Sequence, residues 1–364
     1  MSQERIESVK TYYTCAETLK KRMQFCGRRQ GFAAETVEEY EVWKSSLRNT
    51  LTGLLGLDNM TSCSPKSEVL ERVKVEDGII REKVILEVEE DVWMPFYILI
   101  PPKVKDVPVP CFLAPPGHLG GGKNSVAGRR EIPAIREAIE RFHYDYGMQL
   151  ARLGYVAFCP DSRGFGERRE EALQRDTEDA FLNSTCFQLA HMAEPLGQTV
   201  AGMCTWDLMR LIDYIQERNE WRCEQVGCAG FSGGGMQTLW LSAMDDRVGI
   251  SIISGYLYGS SDALLTLNGN CSCNYVPKLW LYADMGDLAA LHAPKPMLIQ
   301  TCREDNLNGP RGIQNVLEQM DAIRDAYRLF RWEDRLVHDI RPGGHCWHPE
   351  CLEPFLTNAQ KVFA

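Results

Sequence analysis

The chain has 364 residues, enough to bury one large core or two ordinary ones, and its 44% hydrophobic and 25% charged content is that of a folded globular protein. A formal net charge of −10, from 40 basic against 50 acidic residues, argues against a nucleic-acid-binding surface. No apolar run is long enough to cross a bilayer, and no repeat or low-complexity tract is visible.

The first residues, Met1-Ser2-Gln3-Glu4-Arg5-Ile6-Glu7, lack a basic flank followed by an apolar core, so no secretory signal is read and a cytoplasmic protein is expected. Residues 1–62 are expected to form an N-terminal helical extension packed on the main domain. Stretches 9–26 and 36–57 carry apolar residues at mixed three- and four-residue spacing, among them Val37, Tyr40, Trp43, Leu47, Leu51 and Leu55. From Glu68 the period changes to two: Val73 and Val75, then Ile80, Val84, Leu86 and Val88, alternate with charged residues around an Asp77-Gly78 hairpin signal. Residues 93–100 make a further strand, stopped by Pro101-Pro102.

Beyond that point strands and helices alternate. Strands are predicted at 109–114, 155–159, 226–231, 248–254, 296–302 and 336–340, with helices at 146–153 and 206–218. Such alternation implies right-handed crossovers and a mostly parallel sheet covered by helices on both faces. Antiparallel strands first and parallel strands later is the order of an α/β-hydrolase sheet, here a catalytic domain over 63–364. Three connections exceed what the topology needs, near 120–146, 167–205 and 256–291, and insertions of this kind form pocket walls or lids.

The chemistry centres on Val226-Gly227-Cys228-Ala229-Gly230-Phe231-Ser232-Gly233-Gly234-Gly235-Met236. Strand, sharp turn and helix match the G-x-S-x-G nucleophile elbow, with Ser232 at its apex and the N–H of Gly233 free to meet an oxyanion. A nucleophilic serine needs a histidine base and an orienting carboxylate, in the order Ser, Asp or Glu, His. Of seven histidines, His345 follows the last strand in a glycine turn, Arg341-Pro342-Gly343-Gly344-His345. His348 is better read as a helix-start or pocket residue, and His338 lies within the strand. For the acid, Glu304 and Asp305 are adjacent after the strand 296–302, and spacing alone does not separate them. The second oxyanion donor is expected from the loop Gly117-His118-Leu119-Gly120, as the N–H of His118 or Leu119. The His118 side chain is read either as a loop-fixing hydrogen bond or as a substrate contact. Arg129, Arg130 and Arg163 lie in loops that would face the pocket, and Trp347 and Trp240 are candidates for a sugar platform or for core.

The chain has 14 cysteines. Cys111, Cys159, Cys228 and Cys302 fall in apolar runs, where cysteine packs as a small hydrophobe. The close pair Cys271-Ser272-Cys273 has neither a second pair nor histidines at zinc-finger spacing. Reduced thiols are therefore expected, with no metal and no organic cofactor.

Several motifs together resemble the dienelactone hydrolase-like and acetyl xylan esterase-like α/β hydrolases. They are Pro116-Gly117-His118; Tyr155-Val156-Ala157-Phe158 with Asp161-Ser162-Arg163-Gly164-Phe165-Gly166-Glu167; Trp206-Asp207-Leu208-Met209-Arg210; Gly230-Phe231-Ser232-Gly233-Gly234; and Asp245-Asp246-Arg247. Asn274-Tyr275-Val276-Pro277, Asp287-Leu288-Ala289-Ala290-Leu291, Ala293-Pro294-Lys295-Pro296 and Glu304-Asp305 extend the likeness to most of residues 70–350. The resemblance implies Asp305 over Glu304 as the acid. Dienelactone hydrolases carry cysteine where this chain has Ser232, which favours ester hydrolysis, and Arg303-Glu304-Asp305-Asn306-Leu307-Asn308 replaces a turn that commonly contains proline. It also implies that the N-terminal helices contribute to the pocket.

The expected activity is hydrolysis of a small-molecule or carbohydrate ester through an acyl-enzyme on Ser232, with no nucleic-acid or membrane partner and a homo-oligomer left open. A peptidase or amidase on the same sheet and a non-catalytic hydrolase-fold binding protein are the alternatives.

Overall fold

A computed structural model describes residues 13–64, 66–173, 175, 177–221 and 224–363. Among these, nine strands form one sheet: β1 (Ser67–Lys74), β2 (Ile80–Glu89), β3 (Val92–Ile100), β4 (Cys111–Leu113), β5 (Val156–Pro160), β6 (Val226–Phe231), β7 (Val248–Ser254), β8 (Met297–Cys302) and β9 (Leu336–Arg341). The order is β1-β2-β3-β5-β4-β6-β7-β8-β9. The β1–β2, β2–β3 and β3–β5 pairs are antiparallel and all later pairs parallel. This is the α/β-hydrolase arrangement expected from the sequence.

The longer helices are α1 (Ala16–Cys26), α2 (Val37–Leu55), α3 (Pro133–Phe142), α4 (Tyr146–Arg152), α5 (Cys186–Ala193), α6 (Val200–Arg218), α7 (Gly233–Met244), α8 (Ile313–Phe330) and α9 (Leu352–Gln360). Side chains that alternate along β7 and β8 divide between two cores. Ile253, Met297 and Ile299 pack with α2, α7 and α8, whereas Ile250, Ile252 and Leu298 pack with α4 and α9. That period-two division is what helices on both faces of a parallel sheet require. No described helix is long and apolar enough to cross a membrane.

The predicted helix at 9–26 is seen as α1, with residues 9–12 outside the described part of the chain. Thr36 caps α2 by accepting from Glu39 N at 3.2 Å, and Gly56 ends it in the left-handed region at φ 75°. The buried stripe Tyr40, Leu47, Leu51 and Leu55 joins the core formed with α7 and α8. The Tyr40 hydroxyl sits between the carbonyls of Ala290 and Ala293 at 3.0 and 2.9 Å. Arg28 grips buried Asp287 with two nitrogens, at 3.0 and 2.8 Å.

Helix α6 starts a turn and a half before the predicted 206. Thr199 caps it by accepting from Gly202 N at 3.0 Å, and the small residues of its first turns hid its amphipathic period from the sequence. The insertions are partly helical too: α3 lies in the first, α5 in the second and Met285–Ala290 in the third. Helices as short as α5 and Met285–Ala290 leave little periodicity to read, whereas α3 buries the periodic set Ala134, Ile135, Ala138 and Ile139.

Two ionic knots tie the loop after β5 to its surroundings. Lys123, buried, reaches Asp161 and Glu167, and its backbone N–H also donates to Asp161 at 2.8 Å. Arg163 bridges Asp207, at 2.9 Å, and Glu89, while Arg168 reaches the other oxygen of Asp207 at 2.6 Å. Burial alone would raise the Asp207 carboxyl, but the two guanidiniums hold it below the usual aspartate range. Asp207→Ala would leave buried Arg168 without a carboxylate and Arg163 with Glu89 alone, and breaking a buried ion pair costs about 3–5 kcal/mol. The urea midpoint of the variant should fall accordingly; a loss under about 1 kcal/mol would mean that water reaches both arginines.

Candidate active site

The site grows from the junction of β6 and α7. Ser232 turns the chain at φ 58° and ψ −121°, a conformation that L side chains rarely adopt. It is pinned by its N–H, which donates to Ser254 O on β7 at 2.9 Å, and by its carbonyl, which accepts from Met236 N at 3.0 Å. The flanking glycines are dictated by contact. A Cβ on Gly230 would lie 2.2 Å from the carbonyl oxygen of Gly234, and one on Gly234 would lie 2.2 Å from that of Pro115.

The glycine loop after β4 lies beside this turn, and side chains hold its carbonyls one by one. Pro115 O accepts from the Tyr146 hydroxyl, Pro116 O from Gln237 Nε2 at 2.9 Å, and His118 O from the Tyr144 hydroxyl. In a trans peptide the carbonyl and the following N–H point in opposite directions. Fixing His118 O therefore fixes the N–H of Leu119, whose φ is 62°. Among the described residues the N–H groups of His118, Leu119 and Gly233 make no backbone hydrogen bond. The tyrosines were not legible as site residues: each acts on a carbonyl 26 or 31 positions away, with no local motif.

The expected acid and base come from the strands beyond β7. Asp305 follows β8 and His345 follows β9, and Asp305 Oδ2 lies 2.6 Å from His345 Nδ1. The other Asp305 oxygen accepts from Leu307 N at 2.8 Å, and the side chain is almost fully buried. Glu304 points elsewhere. Its carboxylate accepts from Gly343 N, and its own N–H donates to Gly343 O at 3.0 Å, so it clamps the turn that carries His345. The His345 ring packs on Phe231 at 4.4 Å between centroids, and its Nε2 is buried with no hydrogen-bond partner.

Three other histidines have partners of their own. His338 sits within β9, its Nε2 3.1 Å from Thr301 Oγ1, and burial pushes its imidazole down to about 4. His348 precedes the helical turn Pro349–Cys351, with its Nε2 3.3 Å from Cys302 Sγ. His118 turns its Nε2 away from Ser232 toward Cys273 Sγ, at 3.5 Å.

Ser232, Gly233, His118, Leu119, Asp305 and His345 all line one cleft of about 530 Å³, a size suited to a small organic ligand. Arg141, Asn183, Tyr256 and Tyr258 are among its other walls, and a wider cavity that shares Asp305 and Leu307 with it is lined by Lys20 of α1, so the N-terminal extension reaches the edge of this region. An apolar chamber of about 240 Å³, lined by Trp240, Leu264 and Trp280, adjoins it through Tyr256 and Asn274.

Three arginines that the sequence placed toward the pocket are engaged elsewhere. Arg129 reaches Tyr97 and Glu131, Arg130 reaches Asp145 at 2.9 Å, and Arg163 belongs to the Asp207 knot. Trp347 is wholly buried and donates to Gln149 at 2.9 Å, so it is core and not a sugar platform; Trp240 is buried as well.

Comparison with known proteins agrees with this architecture. The provisionally named hydrolase YtaP of Bacillus subtilis (strain 168) is 25% identical over 300 residues, covering 79% of this chain and 92% of YtaP. A provisionally assigned acetyl xylan esterase from Bacteroides fragilis NCTC 9343 superposes with a TM-score of 0.72 at 18% identity, over 90% of this chain and 82% of its own. A glucuronoyl esterase from Solibacter usitatus gives 0.60 at 16% identity, over 88% and 93%. At these identities the solved structures establish a shared α/β-hydrolase fold. The model described as the Abhydrolase family matches residues 2–329, and this chain belongs to that family.

Proposed function

We propose that this α/β hydrolase is a serine esterase that cleaves carboxylic esters by two-step acyl transfer. The observation that carries the proposal is the state of His345. Asp305 holds its Nδ1 at 2.6 Å, while its Nε2 is buried without a hydrogen-bond partner and the residue lines the same cleft as Ser232. A base needs this arrangement, because the carboxylate keeps the proton on Nδ1 and so leaves the lone pair on Nε2 for the serine hydroxyl.

In the mechanism, His345 takes the proton as Ser232 attacks the ester carbonyl, and Asp305 stabilises the imidazolium that forms. The negative oxygen of the tetrahedral intermediate is met by the N–H of Gly233 and by one from the His118–Leu119 loop; each such donor is worth about 3 kcal/mol. The protonated histidine then releases the alcohol, and water activated by the same imidazole frees the acid. Carbohydrate esters are the substrate class that the structural neighbours, acetyl xylan and glucuronoyl esterases, favour for this chain.

Ser232→Ala should lower kcat on p-nitrophenyl acetate by about 10⁴-fold or more with the circular dichroism spectrum unchanged. Retention of most activity would remove Ser232 as nucleophile, and p-nitroanilide cleavage by the unaltered protein in preference to ester cleavage would favour the amidase alternative.

The two adjacent carboxylates offer a second test. Asp305→Asn should cost about 10⁴-fold in kcat, because an amide stabilises the wrong imidazole tautomer. Glu304→Gln should stay within about tenfold of the parent, since an amide oxygen still accepts from Gly343 N. The reverse ranking would assign the acid to Glu304.

A further inference from the structure

We infer that the chain binds one zinc ion through His118, Cys186, Cys271 and Cys273. Each residue offers one ligand atom, and the four atoms lie within 4.8 Å of one another. Zinc in a tetrahedral shell has Zn–S distances of about 2.3 Å and Zn–N distances of about 2.0–2.1 Å, which places sulfur and nitrogen about 3.6 Å apart and two sulfurs about 3.8 Å apart. Cys273 Sγ lies 3.5 Å from His118 Nε2, close to one such edge. Three thiols and an imidazole, with no carboxylate, form a soft donor set that selects zinc over magnesium or calcium. Four protein ligands leave no open position, so the ion is structural and not a Lewis acid for the ester.

Chain topology gives the cluster its meaning. His118 comes from the loop after β4, Cys186 opens α5 in the second insertion, and Cys271 and Cys273 belong to the third. Cys186 and Cys273 are buried, and the N–H of Thr185 donates to Gly164 O at 2.9 Å, which fixes the start of α5. The ion would thus bind together the three segments that wall the cleft. A disulfide would use two of the three thiols and leave the third thiol and the imidazole without a role, whereas a tetrahedral ion uses all four. The sequence suggested no metal because Cys271-Ser272-Cys273 lacks a local second pair, and His118 lies 155 positions from Cys273.

His118 is then a positioning residue. Its Nε2 binds the ion, its carbonyl accepts from Tyr144, and its ring packs against Gly233, where a Cβ would come within 2.9 Å of Nδ1. The ion would hold the backbone N–H groups of this loop toward Ser232.

The site does not depend on the esterase proposal, because metal content is measured without substrate. The full chain, purified under reducing conditions, loaded with zinc chloride and desalted, should retain about one zinc per chain by mass spectrometry. X-ray absorption should show three sulfurs at about 2.3 Å and one nitrogen at about 2.0 Å. Cys186→Ser and Cys273→Ser should each reduce the zinc to below about 0.2 per chain. Cys346→Ser should keep it, since Cys302, Cys346 and His348 offer only three donors. Zinc-free protein after loading, or zinc that follows Cys346 instead of Cys186 and Cys273, would overturn the assignment, and the absorption spectrum of the unaltered chain decides it even where a variant fails to fold. Removal of the ion by a chelator should lower kcat by about 10–100-fold.

Discussion

A single strained residue sets the terms for the rest of the structure. Holding Ser232 at φ 58° costs on the order of 1–3 kcal/mol, and such a conformation persists only where the surroundings over-determine it. Here they do so through close backbone approach: Gly230 against the Gly234 carbonyl, and Gly234 against the Pro115 carbonyl. The same approach brings the glycine loop after β4 next to the hydroxyl. Strain, glycine content and the placement of oxyanion donors are one packing problem with one solution.

The buried charges play a related part around the rim. Lys123, Asp161 and Glu167 fasten the start of the first insertion to the loop after β5, and Arg163, Arg168, Asp207 and Glu89 fasten that loop to α6 and β2. Ion pairs buried this deeply gain little net stability over apolar residues of the same volume, because desolvation offsets most of the attraction. They do penalise every arrangement that leaves one partner alone. Their contribution here is to hold loops in one geometry, in a region where few large apolar side chains are available to do it.

What the sequence revealed follows from the reach of each signal. Period-two strands, the Asp77-Gly78 turn and the Gly-x-Ser-x-Gly turn are local, and the succession of antiparallel strands followed by parallel ones was read from them. Meeting points between distant segments were not local. Glu304 and Asp305 are neighbours in the chain, but a one-residue step sends one carboxylate to Gly343 and the other to His345. Arg163 sat in a loop on the correct side of the sheet and still turned inward, because Asp207 and Glu89 lie beneath it. Tyr144, Tyr146, His118 and Cys186 carry no pattern in one dimension that joins them to their partners, and the close pair Cys271-Ser272-Cys273 did not point to the other two. The resemblance to acetyl xylan esterase-like hydrolases implied Asp305 as the acid, and it implied nothing about the cysteines.

The division between sheet and insertions also explains why the loops need fastening of their own. Strand ends hold Ser232 and Asp305 because β6 and β8 are anchored by core on both faces, and His345 follows the edge strand β9, which is held by its parallel pairing with β8. The insertions have no strand pairing to hold them: they join the cores only through side chains such as Ile135 and Ile139 of α3, Cys186 and Ala190 of α5, and Tyr256, Leu264 and Val276 of the third insertion. In the proposed mechanism the N–H groups of the His118–Leu119 loop must keep their place to within a few tenths of an ångström for electrostatic stabilisation of an oxyanion to count. Hydrogen bonds from Tyr144, Tyr146 and Gln237 fix this loop from below, and a zinc ion on His118 would fix it from the side of the insertions. A cleft whose walls are tied to its oxyanion loop in this way has its shape and its catalytic donors set by the same contacts, so a change in an insertion that alters which ester fits also alters how well the intermediate is held.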